Sequence, residues 1–138
     1  MTFTLDPRLK GDTLAVGELP FSRLLLMNDA RWPWLVLVPR IAGARELIDL
    51  DAADRSALMD EVTRVGRALE TLHRPDKLNV AALGNVVAQL HVHVIARYAS
   101  DEAWPQPVWG RGERVAYSAP EAAGRIAGLR EALKDLLA

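Results

Sequence analysis

Leu83-Gly84-Asn85-Val86-Val87-Ala88-Gln89-Leu90-His91-Val92-His93-Val94-Ile95-Ala96-Arg97 alternates apolar and polar residues with a period of two. A strand built on that period puts Gln89, His91 and His93 on one face and Leu90, Val92 and Val94 on the other. Two of the three histidines of the chain therefore stand side by side, with a glutamine amide continuing the row. The spacing predicts a histidine strand over Val86 to Tyr98, preceded by a strand over Lys77 to Leu83 and a turn at Gly84-Asn85. Together these form an antiparallel hairpin.

Upstream, two strands are expected, roughly over Thr13 to Glu18 and Arg23 to Met27, ending in the polar stop Asn28-Asp29. Pro33 marks a loop before Trp34-Leu35-Val36-Leu37-Val38-Pro39, which is apolar on both faces and too short for a helix, so it reads as a central strand. A connection with a short extended piece near Glu46 to Ile48 leads to Asp51 and Asp54, an N-cap and a first-turn acid. Leu58, Met59, Val62, Val65, Leu69 and Leu72 then recur at helical spacing, and Pro75 ends that helix just after His73. Ser118-Ala119-Pro120-Glu121 opens a C-terminal helix with Ile126, Leu129, Leu133 and Leu136 on one face. Residues 1–11, punctuated by Pro7 and Gly11, show no period. The pattern is that of an α+β domain: a mostly antiparallel sheet, one long helix after the first strands, and a terminal helix.

The 138 residues suit one domain, 1–138, with a core that needs no metal or disulfide staple. Lys plus Arg number 17 against 18 Asp plus Glu, so no global positive field exists to hold a nucleic acid polymer. With no cysteine there is no disulfide, thiolate metal site or thiol catalysis. The N-terminal stretch lacks signal-peptide features, and the apolar runs at 24–27 and 32–39 are too short to span a bilayer, so a cytoplasmic protein is expected.

Imidazole serves near neutrality as base, nucleophile or metal ligand. An isolated His-x-His on a strand is as often structural as functional, and as a metal site His91 and His93 would need a third ligand that the motif strand does not offer. The segment 100–112 holds Trp104 and Trp109 among prolines and glycines, too irregular for a regular element and too aromatic for a solvated linker.

Asn79, Gly84, Asn85 and Gln89-Leu90-His91-Val92-His93-Val94-Ile95-Ala96-Arg97 resemble the signature of the histidine triad (HIT) family, His-x-His-x-His followed by two apolar residues and often Pro-Arg. Asn28-Asp29, a short loop and Trp34 to Arg40 resemble the first strand pair of that family, so the likeness covers roughly residues 20–98. It implies a nucleotide-binding hydrolase or transferase acting at an α-phosphate. His91 would attack phosphorus to give a nucleotidyl-histidine, and His93 would orient phosphate oxygens. It further implies phosphate contacts at Asn79 and Asn85, ribose contacts at Asn28 or Asp29, a homodimer, a small nucleotide as partner and no cofactor. Trp32 and Trp34 in one segment and Trp104 and Trp109 in another are expected, where they flank the histidine face, to wall a nucleobase or leaving group. The chain departs from the pattern at Gln89, where the first histidine of the triad stands, and at Val86, commonly Ser or Thr. Gln89 keeps a donor but cannot titrate, so the competing reading is a nucleotide-binding or sensing protein of the same fold.

Overall fold

The computed structural model describes residues 2–138; Met1, where the expected domain begins, lies outside the described residues. The elements follow in the order α1 (Pro7–Asp12), β1 (Thr13–Glu18), β2 (Ser22–Met27), β3 (Trp34–Pro39), α2 (Ala52–His73), β4 (Lys77–Ala81), β5 (Val92–Arg97) and α3 (Ala119–Ala132). Five strands form one sheet in the order β1-β2-β3-β5-β4, antiparallel at every pairing. The α+β class with one long and one C-terminal helix is thus as expected, and among the described residues no helix is long and apolar enough to cross a membrane.

The sheet divides two apolar clusters. On one face Leu24, Leu26, Leu35, Leu37, Val92 and Val94 pack against Leu58, Val62, Val65 and Leu69 of α2 and Leu129 of α3. On the other face Leu25, Trp34, Val36, Val38 and Ile95 pack against Leu9, Trp32, Val87, Ala103 and Val108. Every residue of β3 is buried, as a central strand covered on both sides requires. The Asp51 side chain caps α2 by accepting from Asp54 N at 2.8 Å. Gly66 lets this helix lie close to the sheet, since a Cβ there would stand 3.3 Å from Leu78 Cδ1. Met59 and Leu72, expected on the buried face, lie on its flank and stay exposed.

Three local expectations are corrected. β4 and β5 pair, but β4 stops at Ala81 and β5 starts at Val92, so residues 82–91 form a long connection instead of a tight hairpin turn. The backbone there bonds elsewhere: Leu90 N donates to Ala44 O at 3.0 Å, and Val87 and Leu90 bury into opposite clusters. Near Glu46 to Ile48 the chain forms a 3-10 turn over Leu47–Asp49 instead of an extended piece. Asp49 Oδ2 accepts from the backbone of Arg45 and Glu46, which bends the chain back on itself. Finally, residues 7–12 form a helix despite Gly11, because Asp6 caps Arg8 N at 2.8 Å and Pro7 stands in the first turn.

After β5 the chain is organised by Arg97, which is 1% exposed. Its Nε and Nη2 grip Asp101 at 2.8 and 3.1 Å, Nη1 donates to Asn79 Oδ1 at 2.8 Å, and Nη2 donates to Gln106 O at 2.8 Å. Asp101 in turn accepts from the backbone of Tyr98, Ala103 and Trp104. Replacing Arg97 by Met leaves the Asp101 carboxylate buried without its partner, at a cost of about 3–5 kcal/mol. Urea unfolding of Arg97→Met should show that loss, together with a weakened near-ultraviolet tryptophan signal as the segment 98–109 loosens.

Candidate active site

The alternation of β5 carries directly into the site. Leu90, Val92 and Val94 enter the helix-side cluster, and His91 and His93 emerge on the opposite face, buried to 7% and 4% exposure. Their rings lie 4.9 Å apart at 69°. Each ring is fixed by one hydrogen bond of unambiguous polarity. His91 Nδ1 stands 2.6 Å from the Gln89 carbonyl oxygen, which can only accept, so Nδ1 carries a proton and the neutral tautomer of this ring has its lone pair on Nε2. Trp34 Nε1, which can only donate, lies 2.9 Å from His93 Nδ1, so the neutral His93 ring carries its proton on Nε2. Neighbouring imidazoles are therefore held in opposite tautomers, one offering a lone pair and the other an N–H.

His93 is also held neutral. Burial, and then the adjacent His91, push its pKa down from the ordinary 6.5 to about 3. Trp109 closes over it edge-on, 5.0 Å from the His93 ring and 5.8 Å from Trp34. The pair opens into a cleft of about 570 Å³ walled by Leu9, Met27, Val87 and Trp109, with Arg8, Asp12 and Asn85 among its polar lining. A smaller basin of about 220 Å³, lined by Arg31, Arg111 and Arg114, shares Asp12, Met27 and Trp109 with it.

Of the residues expected at a site, His91, His93, Asn85 and Trp109 meet in this cleft. The others are placed elsewhere. The Gln89 side chain turns to the N-terminal segment, with Oε1 accepting from Asp6 N and Nε2 donating to Thr4 O, each at 2.9 Å. Asn79 binds Arg97, and Trp104 lies over the Arg97 guanidinium at 5.6 Å, away from the cleft. Asn28 Oδ1 accepts from Tyr117 N at 2.9 Å. Asp29 is 2% exposed and its carboxylate is gripped by Arg31 Nε and Nη2 at 2.9 and 2.8 Å. Those bonds hold its pKa below the usual carboxylate value against the opposing effect of burial, which is the largest single influence. Among the described residues no group of three or more His, Cys, Asp or Glu is gathered closely enough to hold a metal ion.

Trp34, one of the tryptophans expected beside the histidine face, does reach His93, whereas Arg8, Leu9, Asp12 and Met27 belong to the site without any sequence signal having pointed to them. The Asp6-Pro7 pair is an N-cap signature that marks α1, and with it Arg8, Leu9 and Asp12. Trp34 and Val36 share the His93 face of β3, in register with Ile95 and His93.

A single-layer antiparallel sheet, backed by helices, whose fourth strand in spatial order carries His93 into a cleft, with His91 just before that strand, defines the histidine triad class of fold. The HIT domain model matches residues 8–100. A histidine triad protein from Bradyrhizobium japonicum is 50% identical, with 95% of this chain and 98% of that one covered and a TM-score of 0.93. Another from Sinorhizobium meliloti is 44% identical over 96% and 98% of the two chains, with a TM-score of 0.93. A third from Marinobacter aquaeolei is 43% identical over 99% of each, with a TM-score of 0.96. The chain belongs to the histidine triad family, whose members are in general nucleotide hydrolases and transferases. No curated protein matches it.

The depressed His93 pKa sets a pH dependence of stability. Between about 3 and 6.5 the unfolded chain binds this proton and the folded one does not, so stability is full above 6.5 and falls as the pH drops through that window. Asp29 and Asp101, both lowered from 3.8, add a second loss at more acidic pH. Urea midpoints measured from pH 8 to 3 should therefore decline in two stages. His93→Asn should remove most of the first, the remainder coming from His73, whose pKa burial also lowers, and a wild-type curve flat between pH 6.5 and 4.5 would contradict the buried neutral ring.

Proposed function

We propose that the protein is a nucleotide hydrolase or nucleotidyl transferase that acts at an α-phosphate through a nucleotidyl-histidine on His91. The observation that carries this reading is the pair of opposed tautomers. His91 Nε2 attacks phosphorus with its lone pair, and the bond from phosphorus to the leaving group breaks, its electron pair departing with that group. The ring gains positive charge as the P–N bond forms, and the Gln89 carbonyl, already bonded to Nδ1–H, stabilises it. His93 Nε2–H donates to a non-bridging oxygen as charge builds there. Water or another acceptor then attacks phosphorus, its proton passing to solvent, the P–N bond breaks, and His91 recovers its lone pair.

The apolar wall of Leu9, Met27 and Trp109 suits a nucleobase, and Asn85 at the cleft edge suits phosphate. Contacts from Asn28, Asp29, Asn79 and Trp104 to the nucleotide enter this reading only through rearrangement, because each is engaged by a protein group. A second reading, a nucleotide-binding or sensing protein, draws on one observation: the Gln89 side chain is turned from the cleft, so the first position of the triad brings no group to the leaving atom.

Incubation with adenosine phosphoramidate, aminoacyl adenylates and dinucleoside polyphosphates separates the two. Turnover that falls about 10⁴-fold or more in His91→Ala, with a nucleotide adduct on His91 trapped by acid quench and mass spectrometry, supports the enzyme. Tight binding across the panel without turnover supports the sensor.

The reading includes a homodimer. β4 is an edge strand, and beside it a groove of about 550 Å³ runs between β4 and α2, flanked by Met59 and Val80, which are 60% and 52% exposed. Sedimentation should give twice the chain mass for wild type and a single chain for Val80→Lys. A wild-type monomer at micromolar concentration would remove this part of the proposal.

A further inference from the structure

Gln89 stands where the family pattern has a titratable histidine, and its carboxamide is occupied by a different task. Oε1 accepts from Asp6 N and Nε2 donates to Thr4 O, both at 2.9 Å, so the side chain pairs with residues 4–6 as a neighbouring peptide unit would. An amide offers a donor and an acceptor side by side in one plane, the arrangement that two backbone groups of an extended segment require. An imidazole has its two nitrogens on opposite flanks of a ring and cannot match both.

What the clamp holds is the entry to α1. Asp6 is the N-cap, Leu9 is buried at 4% in the cluster beneath the cleft, and Thr13 Oγ1 donates to Leu9 O at 2.6 Å. The helix is thus tied at both ends and through its middle. Arg8, the residue before Leu9, lines the cleft together with His91, His93 and Asn85. Among the described residues it is the one cation of that lining, and no carboxylate lies within ion-pair distance of its guanidinium. Asp12, the acid on the same helix, is paired with Arg114 at 3.1 Å. The neutral His93 imidazole brings an N–H but no formal charge, and a phosphate diester or anhydride brings at least one negative charge into the cleft. Arg8 is the group in place to meet it.

We propose that Arg8 is the phosphate-binding cation of this cleft and that Gln89 is the positioning residue that brings it there by pinning residues 4–6. The proposal rests on the nucleotide reading above and deepens it: the ligand class is a phosphorylated nucleoside, recognised through its phosphate by an N-terminal segment. Gln89 then serves the site twice, with its side chain toward the segment and its carbonyl toward His91.

The test is calorimetric titration of the full chain with AMP, GMP, CMP and UMP beside their parent nucleosides, with hydrogen exchange over residues 3–10. For whichever base binds, Arg8→Ala should weaken the monophosphate about ten- to a hundredfold, the range of a hydrogen bond to a charged group, and leave the nucleoside unchanged. Arg8→Lys should restore most of that loss. Gln89→Ala should reproduce the selective loss and speed exchange over residues 3–10, which Arg8→Ala should not. If Gln89→Ala fails to fold, Gln89→Glu serves, since its carboxylate still accepts from Asp6 N but faces the Thr4 carbonyl without a donor. Wild-type monophosphate affinity in Arg8→Ala overturns the role of Arg8. Unchanged exchange and affinity in the Gln89 variant overturn the positioning role. A wild-type protein that binds no monophosphate overturns the nucleotide reading itself, and the assignment of Arg8 with it.

Discussion

A guanidinium sealed from water has five N–H donors and a charge to satisfy, and Arg97 meets that demand at the end of β5. The chain can do so only by turning back at once, bringing Asp101 within bidentate reach and the Gln106 carbonyl onto the same nitrogen. The irregular segment is thereby laid across the sheet and not out into solvent, with Ala103 and Val108 as its apolar anchors. Trp109 arrives over His93 as a result. Because Asn79 supplies another acceptor, the same group also ties the edge strand to the loop. One buried cation therefore sets the wall of the site from a position outside the cleft.

The histidine pair shows what the period-two pattern does and does not encode. Alternation sorted Leu90, Val92 and Val94 from His91 and His93 correctly, although only part of that stretch is hydrogen-bonded as a strand. The long helix was legible because burial on one face repeats every three or four residues, and its caps are local. What escaped were partnerships between residues far apart in the chain. Nothing near Gln89 announces Thr4 and Asp6, and nothing near Trp34 announces His93, yet those bonds decide which way one side chain turns and which nitrogen of another carries a proton. The Asp29–Arg31 pair is the opposite case, a contact two residues apart that a turn makes possible and that competes with any ligand for the same carboxylate.

The tautomers matter because neither depends on a group that moves. A main-chain carbonyl orients His91, and an indole buried at the start of β3 orients His93, so donor and nucleophile are set before a ligand enters. Rigid partners of this kind limit the reorganisation that the reaction itself would otherwise require. The same enclosure that keeps His93 uncharged is what leaves its Nδ1 lone pair free to accept from the Trp34 indole across the neutral range, and so fixes the tautomer.

The two-sided sheet has an evolutionary consequence. The helix face holds most of the aliphatic packing, while the opposite face is covered by short pieces: a six-residue helix, the connection between β4 and β5, and the Trp-bearing segment. Changes in those pieces, Leu90 of the connection apart, alter the shape and charge of the cleft without cutting into the helix-side packing. A lineage can therefore explore new ligands by rewriting its loops, with Leu90, His91 and the strand that follows them inherited intact.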